Sequence, residues 1–208
     1  YILGDLFEAW VGDDDDSALA TRIARAIRGL ADSGVPVFFI VGNRDFLLGR
    51  DYAARCGMSL LEDGTIIDLY GTPTLLMHGD TLCTADLEYQ EFRAQVRDEE
   101  WQRQFLAQPL DQRRAFAARA RDASTAHTGR TDMTIMDVTP EAVVETMQRA
   151  GVRHLIHGHT HRPAVHHFRL DTGNAERIVL GDWYEQGSVL RADTQTRQLQ
   201  SPGAPPTG

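Results

Sequence analysis

Four short stretches carry side chains able to hold metal: Gly4-Asp5, Gly42-Asn43-Arg44-Asp45, His78-Gly79-Asp80 and Gly158-His159-Thr160-His161. Together they offer a carboxylate, an amide oxygen and several imidazoles. That mixed set suits Mn, Fe or Zn better than Ca or a thiolate-bound structural zinc. A carboxylate such as Asp5 can give one oxygen to each of two ions, and a pair ~3.5–4 Å apart can hold a bridging hydroxide as the nucleophile. Taken singly, these residues are weak signals: an aspartate after a strand commonly caps a turn, an asparagine makes one, and a histidine is commonly a hydrogen-bonded core residue. His159 and His161 say more, because in a locally extended segment their rings project to the same side and can converge on a binuclear centre. His154, His157, His166 and His167 stand in no such motif and read as structural residues.

Each motif follows a β-prone run, and glycine lets the chain turn sharply there. In an open α/β sheet such turns gather ligands beyond the carboxyl ends of the strands. Leu19, Ile23, Ile27 and Leu30 share one helix face behind the acidic run 13–16, which reads as a solvated cap complementing the helix N-terminus. Residues 35–40 follow as a strand, so the opening reads as a βαβ unit with a buried parallel sheet. Residues 65–70, 74–77, 152–156, 164–170, 178–180 and 188–191 read as further strands, with a turn at 171–174. Thr139 can cap a helix that begins at Pro140 and ends at Ala150. Between these, residues 84–130 turn helical, with Leu87, Phe92, Val96, Trp101, Phe105, Leu106, Leu110 and Phe116 among arginines and acids. The expected fold class is α/β: a layered α-β-β-α sandwich over residues 1–200 with a helical cap insertion at 84–130, and a Pro/Gly-rich disordered tail at 201–208.

In this order, and over nearly the whole chain, the motifs resemble the calcineurin-like metallophosphoesterase superfamily. The longer strings Leu3-Gly4-Asp5-Leu6-Phe7-Glu8-Ala9-Trp10, Gly42-Asn43-Arg44-Asp45-Phe46-Leu47-Leu48-Gly49 and His157-Gly158-His159-Thr160-His161-Arg162-Pro163-Ala164 look like the UDP-2,3-diacylglucosamine diphosphatases within it. The resemblance implies a Mn-dependent hydrolase of lipid A biosynthesis. It would cleave the pyrophosphate of UDP-2,3-diacylglucosamine to 2,3-diacylglucosamine 1-phosphate and UMP by water attack on the α-phosphorus. It implies two Mn ions, with Asp5 bridging, Asn43, His78 and His159 completing one, His161 serving the other, and a metal-bridging hydroxide as the catalytic group. It also implies substrate contacts at Asn43, Arg44, Asp86, Ser124, Thr128 and His159. Thr131 stands where many relatives have a lysine, and that role is not carried over.

Arg44 could hold a phosphoryl oxygen with its planar fork, or make a salt bridge with a nearby acid. The apolar residues of the insertion could shelter two acyl chains, at ~0.8 kcal/mol per buried methylene, or merely pack the cap onto the core. The family's Asp-x-His motif is expected upstream of Tyr1, where the chain reads as a strand already under way; without it the second ion is expected to bind weakly. A metallophosphoesterase of other specificity, such as a cyclic-nucleotide phosphodiesterase or a protein phosphatase, would share the metal motifs without needing the insertion. A noncatalytic interaction module on the same fold is the other rival.

Composition narrows the partners. With 208 residues, 42% apolar and 25% charged, the chain can bury a large core, and a net charge of -9 argues against nucleic acid as a partner. Two scattered cysteines, Cys56 and Cys83, make no disulfide framework and fit a reducing cytoplasm. No run approaches the ~20 apolar residues of a membrane span. With a lipid substrate, the expectation is a peripheral protein on the cytoplasmic face of the inner membrane.

Overall fold

The computed structural model describes residues 1–130, 132, 135–183 and 187–200, so Thr131 and the tail expected at 201–208 lie outside the described residues. The chain is mixed α/β and forms two compact units, Tyr1–Glu62 with Asp86–Met136, and Asp63–Ala85 with Asp137–Gly208. Among the described residues no helix is long and apolar enough to cross a membrane.

In the first unit α1 (Ala18–Asp32) is followed by β1 (Val37–Ile40), α2 (Arg50–Cys56) and β2 (Met58–Leu61). β1 pairs with β2 in parallel, and Ile2 adds a parallel bridge to Phe39. Pro36 has no N–H to give a ladder, and the strand starts after it. The buried face of α1 is rotated from the one expected. Ala20 and Ala24 are buried, with Ile23 and Ile27 packed on the same core, while Leu19 and Leu30 are about half exposed. The reason is the close approach of α2, whose Tyr52 hydroxyl donates to the Ala20 carbonyl at 2.8 Å and leaves room only for small side chains.

The acidic run is not a solvated cap on α1, because Ser17 caps that helix by accepting from the Ala20 N–H. Asp13 instead caps α2, whose N-cap Gly49 has no side chain to do so. It accepts the N–H groups of Gly49, Asp51 and Tyr52 at 2.9, 3.0 and 3.0 Å, and the Trp10 indole at 3.1 Å. Asp14 and Asp15 pair with Arg113 and Arg114.

Residues read as helical form α3 (Leu87–Val96), α4 (Glu99–Leu106) and α5 (Leu110–Thr128). Asp86 and Asp98 cap the first two through the Tyr89 and Trp101 N–H groups. Arg113, 3% exposed, fastens α5 by donating to the carbonyls of Gln108 and Val11 as well as to Asp14.

In the second unit a sheet runs in the order β3 (Thr65–Asp68), β4 (Pro73–Met77), β5 (His154–His157), β7 (Gly173–Val179), β6 (Ala164–Leu170). The three middle strands are parallel and the two outer ones antiparallel to their neighbours. α6 (Pro140–Ala150) contributes Val143 and Met147 to a core shared with Leu75, Met77 and Leu155. Thr139 occupies the N-cap position, but its hydroxyl makes no cap bond and instead lies 2.7 Å from that of Thr84. A hairpin of β8 (Val189–Ala192) and β9 (Arg197–Gln200) follows; β9, sequence Arg-Gln-Leu-Gln, carries no strand signal of its own and is defined by its pairing.

Candidate metal centre and substrate cavity

Two predicted ligands, Asp5 and Asn43, lie on turns of the first unit. Asp45, fully buried, joins these turns: its carboxylate accepts the N–H groups of Asp5, Leu6 and Gly42 at 3.2, 2.7 and 2.7 Å. The sequence motif contained Asp45 but nothing in it assigned this role. Asp5 in turn accepts the Arg44 backbone N–H at 3.0 Å and lies 3.5 Å from the Arg44 guanidinium. Arg44 also reaches Glu8 at 2.8 Å, so it makes the salt bridges that its second reading allowed. Glu8 takes Arg121 of α5 on its other oxygen.

Arg44 and Asn43 stand at the wall of a cavity of about 240 Å³ inside this unit. Phe92, Phe105 and Phe116 line it, and α5 turns Ala117, Ala120 and Ser124 toward it, so small side chains at helical spacing leave the space open. The apolar residues of the insertion thus divide. Trp101 stacks on Phe105 with ring centroids 4.9 Å apart and Val96 is buried, while Leu87 is 70% exposed.

The predicted substrate residue Asp86 is buried, where it caps α3 and lies 3.0 Å from His127 Nε2. Ser124 lines the cavity. Thr128 ends α5, and its side chain lies outside the described ones.

The other predicted ligands, His78, His159 and His161, lie in the second unit, at the ends of β4 and β5. The His78 and His159 rings are 5.1 Å apart, centroid to centroid, and His78 is 1% exposed. The segment carrying His159 and His161 is not locally extended, so strand alternation is not what brings their rings together: their φ angles are 66° and 54°. Among the described residues only Asp5 (φ 55°) and Tyr70 are further non-glycine residues with positive φ, so three of the four are predicted ligands. Such backbone costs ~1–3 kcal/mol per residue and persists where its surroundings over-determine it, commonly at functional sites. The Thr160 hydroxyl between the two histidines is buried with no hydrogen-bond partner among the described residues, another mark of a loop shaped for something besides stability.

His157, at the end of β5, is fully buried beside both histidine turns. Its Nδ1 donates to the Gly158 carbonyl at 2.9 Å, and its Nε2 therefore accepts from Arg177 at 3.0 Å. Burial first, then the Arg177 charge, pushes its pKa down to about 3, and the ring is neutral. Within either unit, among the described residues, no three His, Cys, Asp or Glu side chains form a metal-holding group. The predicted set draws on both units.

The sequence profile of the calcineurin-like phosphoesterases matches residues 1–163. The chain belongs to the calcineurin-like phosphoesterase family. As a phosphoesterase it is a hydrolase, and the family implies divalent metal ions. The carboxylate, amide and imidazole groups of these turns, with Asp5, His159 and His161 in left-handed backbone, fit such ions chemically.

Its relatives include the UDP-2,3-diacylglucosamine hydrolase of Stenotrophomonas maltophilia (strain K279a), 58% identical over 200 residues that cover 93% of this chain and 81% of that protein. Proteins of the same name from Xanthomonas axonopodis pv. citri (strain 306) and Xanthomonas campestris pv. campestris (strain 8004) are 56% and 55% identical over 207 residues, covering 96% of this chain and 84% of each relative.

Proposed function

We propose that this phosphoesterase hydrolyses UDP-2,3-diacylglucosamine between its two phosphates, giving 2,3-diacylglucosamine 1-phosphate and UMP. The observation that carries the reading is the cavity of about 240 Å³, apolar along Phe92, Phe105, Phe116 and the alanines of α5, which meets Asn43 and Arg44 at its wall. That wall suits a molecule that joins phosphate to hydrocarbon, and the relatives' name supplies one. Asp5, Asn43, His78, His159 and His161 would hold two Mn ions, which when bound lower the pKa of water and offset phosphate charge. Arg44, released from Glu8 or sharing it, would orient a phosphoryl oxygen. Asn43, Asp86, Ser124, Thr128 and His159 would complete the substrate contacts.

Water attacks the α-phosphorus, its oxygen enters UMP, and the sugar phosphate leaves. In this reading the enzyme works at the cytoplasmic face of the inner membrane; a diacylated substrate favours a membrane surface, and exposed Leu87 and Leu106 offer apolar contacts that need no positive charge.

Hydrolysis in ¹⁸O-water with Mn present tests the reading: the label should appear in UMP, and UDP-N-acetylglucosamine should react far more slowly. Release of UDP, label in the sugar phosphate, or equal rates on both substrates would overturn it.

A further inference from the structure

His157 is the one histidine of the His-Gly-His-Thr-His string to which metal binding gives no task, yet it is fully buried. A neutral imidazole gains nothing by burial unless both nitrogens are satisfied, and both are, at Gly158 and Arg177. Its position ties two turns together. The Gly158 N–H donates to the His78 carbonyl at 2.9 Å, joining the turn after β5 to the turn after β4, and His157 Nδ1 grips the carbonyl of the same Gly158. On the other side the ring fills the space over Gly79, where an added Cβ would fall 2.6 Å from Nδ1. Gly79 itself sits at φ 112°, directly after His78, and His159 sits at φ 66°, directly after Gly158. The ring thus lies between two backbone turns in unusual conformations, each carrying a predicted ligand. Arg177 of β7 holds the far nitrogen and prevents the ring from turning.

We infer that His157, held by Arg177, is a positioning residue that sets the spacing of His78 and His159 for metal. The inference rests on these two histidines being ligands, as proposed above. His157 touches neither ion nor substrate; it fixes the turns from which the ligands project. Supporting groups of this kind typically change metal affinity by about 10- to 100-fold.

The experiment is Mn²⁺ titration of the protein followed by electron paramagnetic resonance, with thermal unfolding in the absence of metal as the control for folding. His157→Phe keeps the ring volume and loses both hydrogen bonds; His157→Asn keeps a donor near Nδ1; Arg177→Met releases the far nitrogen. His159→Ala tests the underlying reading. The expected result is Mn²⁺ affinity weakened about 10- to 100-fold in His157→Phe, weakened less in Arg177→Met, and partly restored in His157→Asn. If His159→Ala binds Mn²⁺ like the wild type, the ligand assignment fails. If His159→Ala loses Mn²⁺ while a folded His157→Phe and Arg177→Met both bind normally, the assignment stands and the positioning role is refuted. If His157→Phe does not fold, Arg177→Met and His157→Asn decide the question, and wild-type affinity in both refutes it.

Discussion

The Asp5 and Asn43 turns depend on a single buried carboxylate. Asp45 accepts three backbone N–H groups, and an amide in its place can accept with only one of its two heavy atoms. Asp45→Asn therefore turns an N–H donor toward another donor, and we expect a loss of about 2–3 kcal/mol in chemical denaturation, together with weaker metal binding. Unchanged stability would mean that the turns are held by something else. Arg44 is expected to behave differently. Its nearer partner Glu8 is 47% exposed and can rehydrate, and Asp5 keeps the bond from the backbone N–H of residue 44, so Arg44→Ala should lower the unfolding midpoint only slightly. Turnover should nevertheless fall roughly ten- to hundredfold if the phosphoryl contact strengthens in the transition state. A large drop in stability with intact turnover would assign Arg44 to the salt bridges alone.

Among the elements, α2 and α5 make the clearest demands. The N-terminus of α2 is capped from a distance by Asp13, so Asp13→Ala should cost about 1–2 kcal/mol by leaving helix N–H groups unpaired, more than a surface aspartate would. An unfolding midpoint equal to that of Asp16→Ala would contradict this. In α5, alanine at position 120 helps keep the cavity open. Ala120→Phe places a ring in that space, and the expected outcome is a KM for the diacylated substrate raised by tenfold or more with a nearly unchanged unfolding midpoint. An unaltered KM would remove the cavity from substrate binding.

At the scale of the whole molecule, three histidines contribute to the response to acid. His154, His157 and His166 have pKa values lowered first by burial, so the folded chain resists protonation that the unfolded chain accepts. Well above about pH 6.5 both states are neutral at these rings and nothing is lost. As pH falls through that value the unfolded state binds more protons, and stability declines. Asp14, held low mainly by its hydrogen bond from Arg113, joins only lower still, as it protonates in turn. The unfolding midpoint measured in chelator should thus fall between pH 7.5 and pH 5, and His166→Gln with His154→Gln should reduce the slope. A flat profile over that interval would be inconsistent with these shifts.

Local physics made much of this legible in the sequence. The parallel opening, Pro140 at the start of α6, the strand at 164–170 and the helical stretch before residue 130 follow from periodicity, proline and glycine, which act within a few residues. Residue chemistry put forward Asp5, Asn43, His78, His159 and His161 as candidate ligands, a role that stands as the proposal above. What required tertiary structure was every choice made by a distant partner. Tyr52 decided which face of α1 is buried, Gly49 left Asp13 to cap a helix 37 residues further on, and β8 made a strand of the unremarkable Arg197–Gln200. In the sequence the His159–His161 spacing points to convergence only for an extended segment, yet both residues adopt left-handed backbone. Such conformations cost free energy locally and exist only where packed neighbours hold them, and those neighbours, His157 and Arg177 among them, are assembled from separate strands.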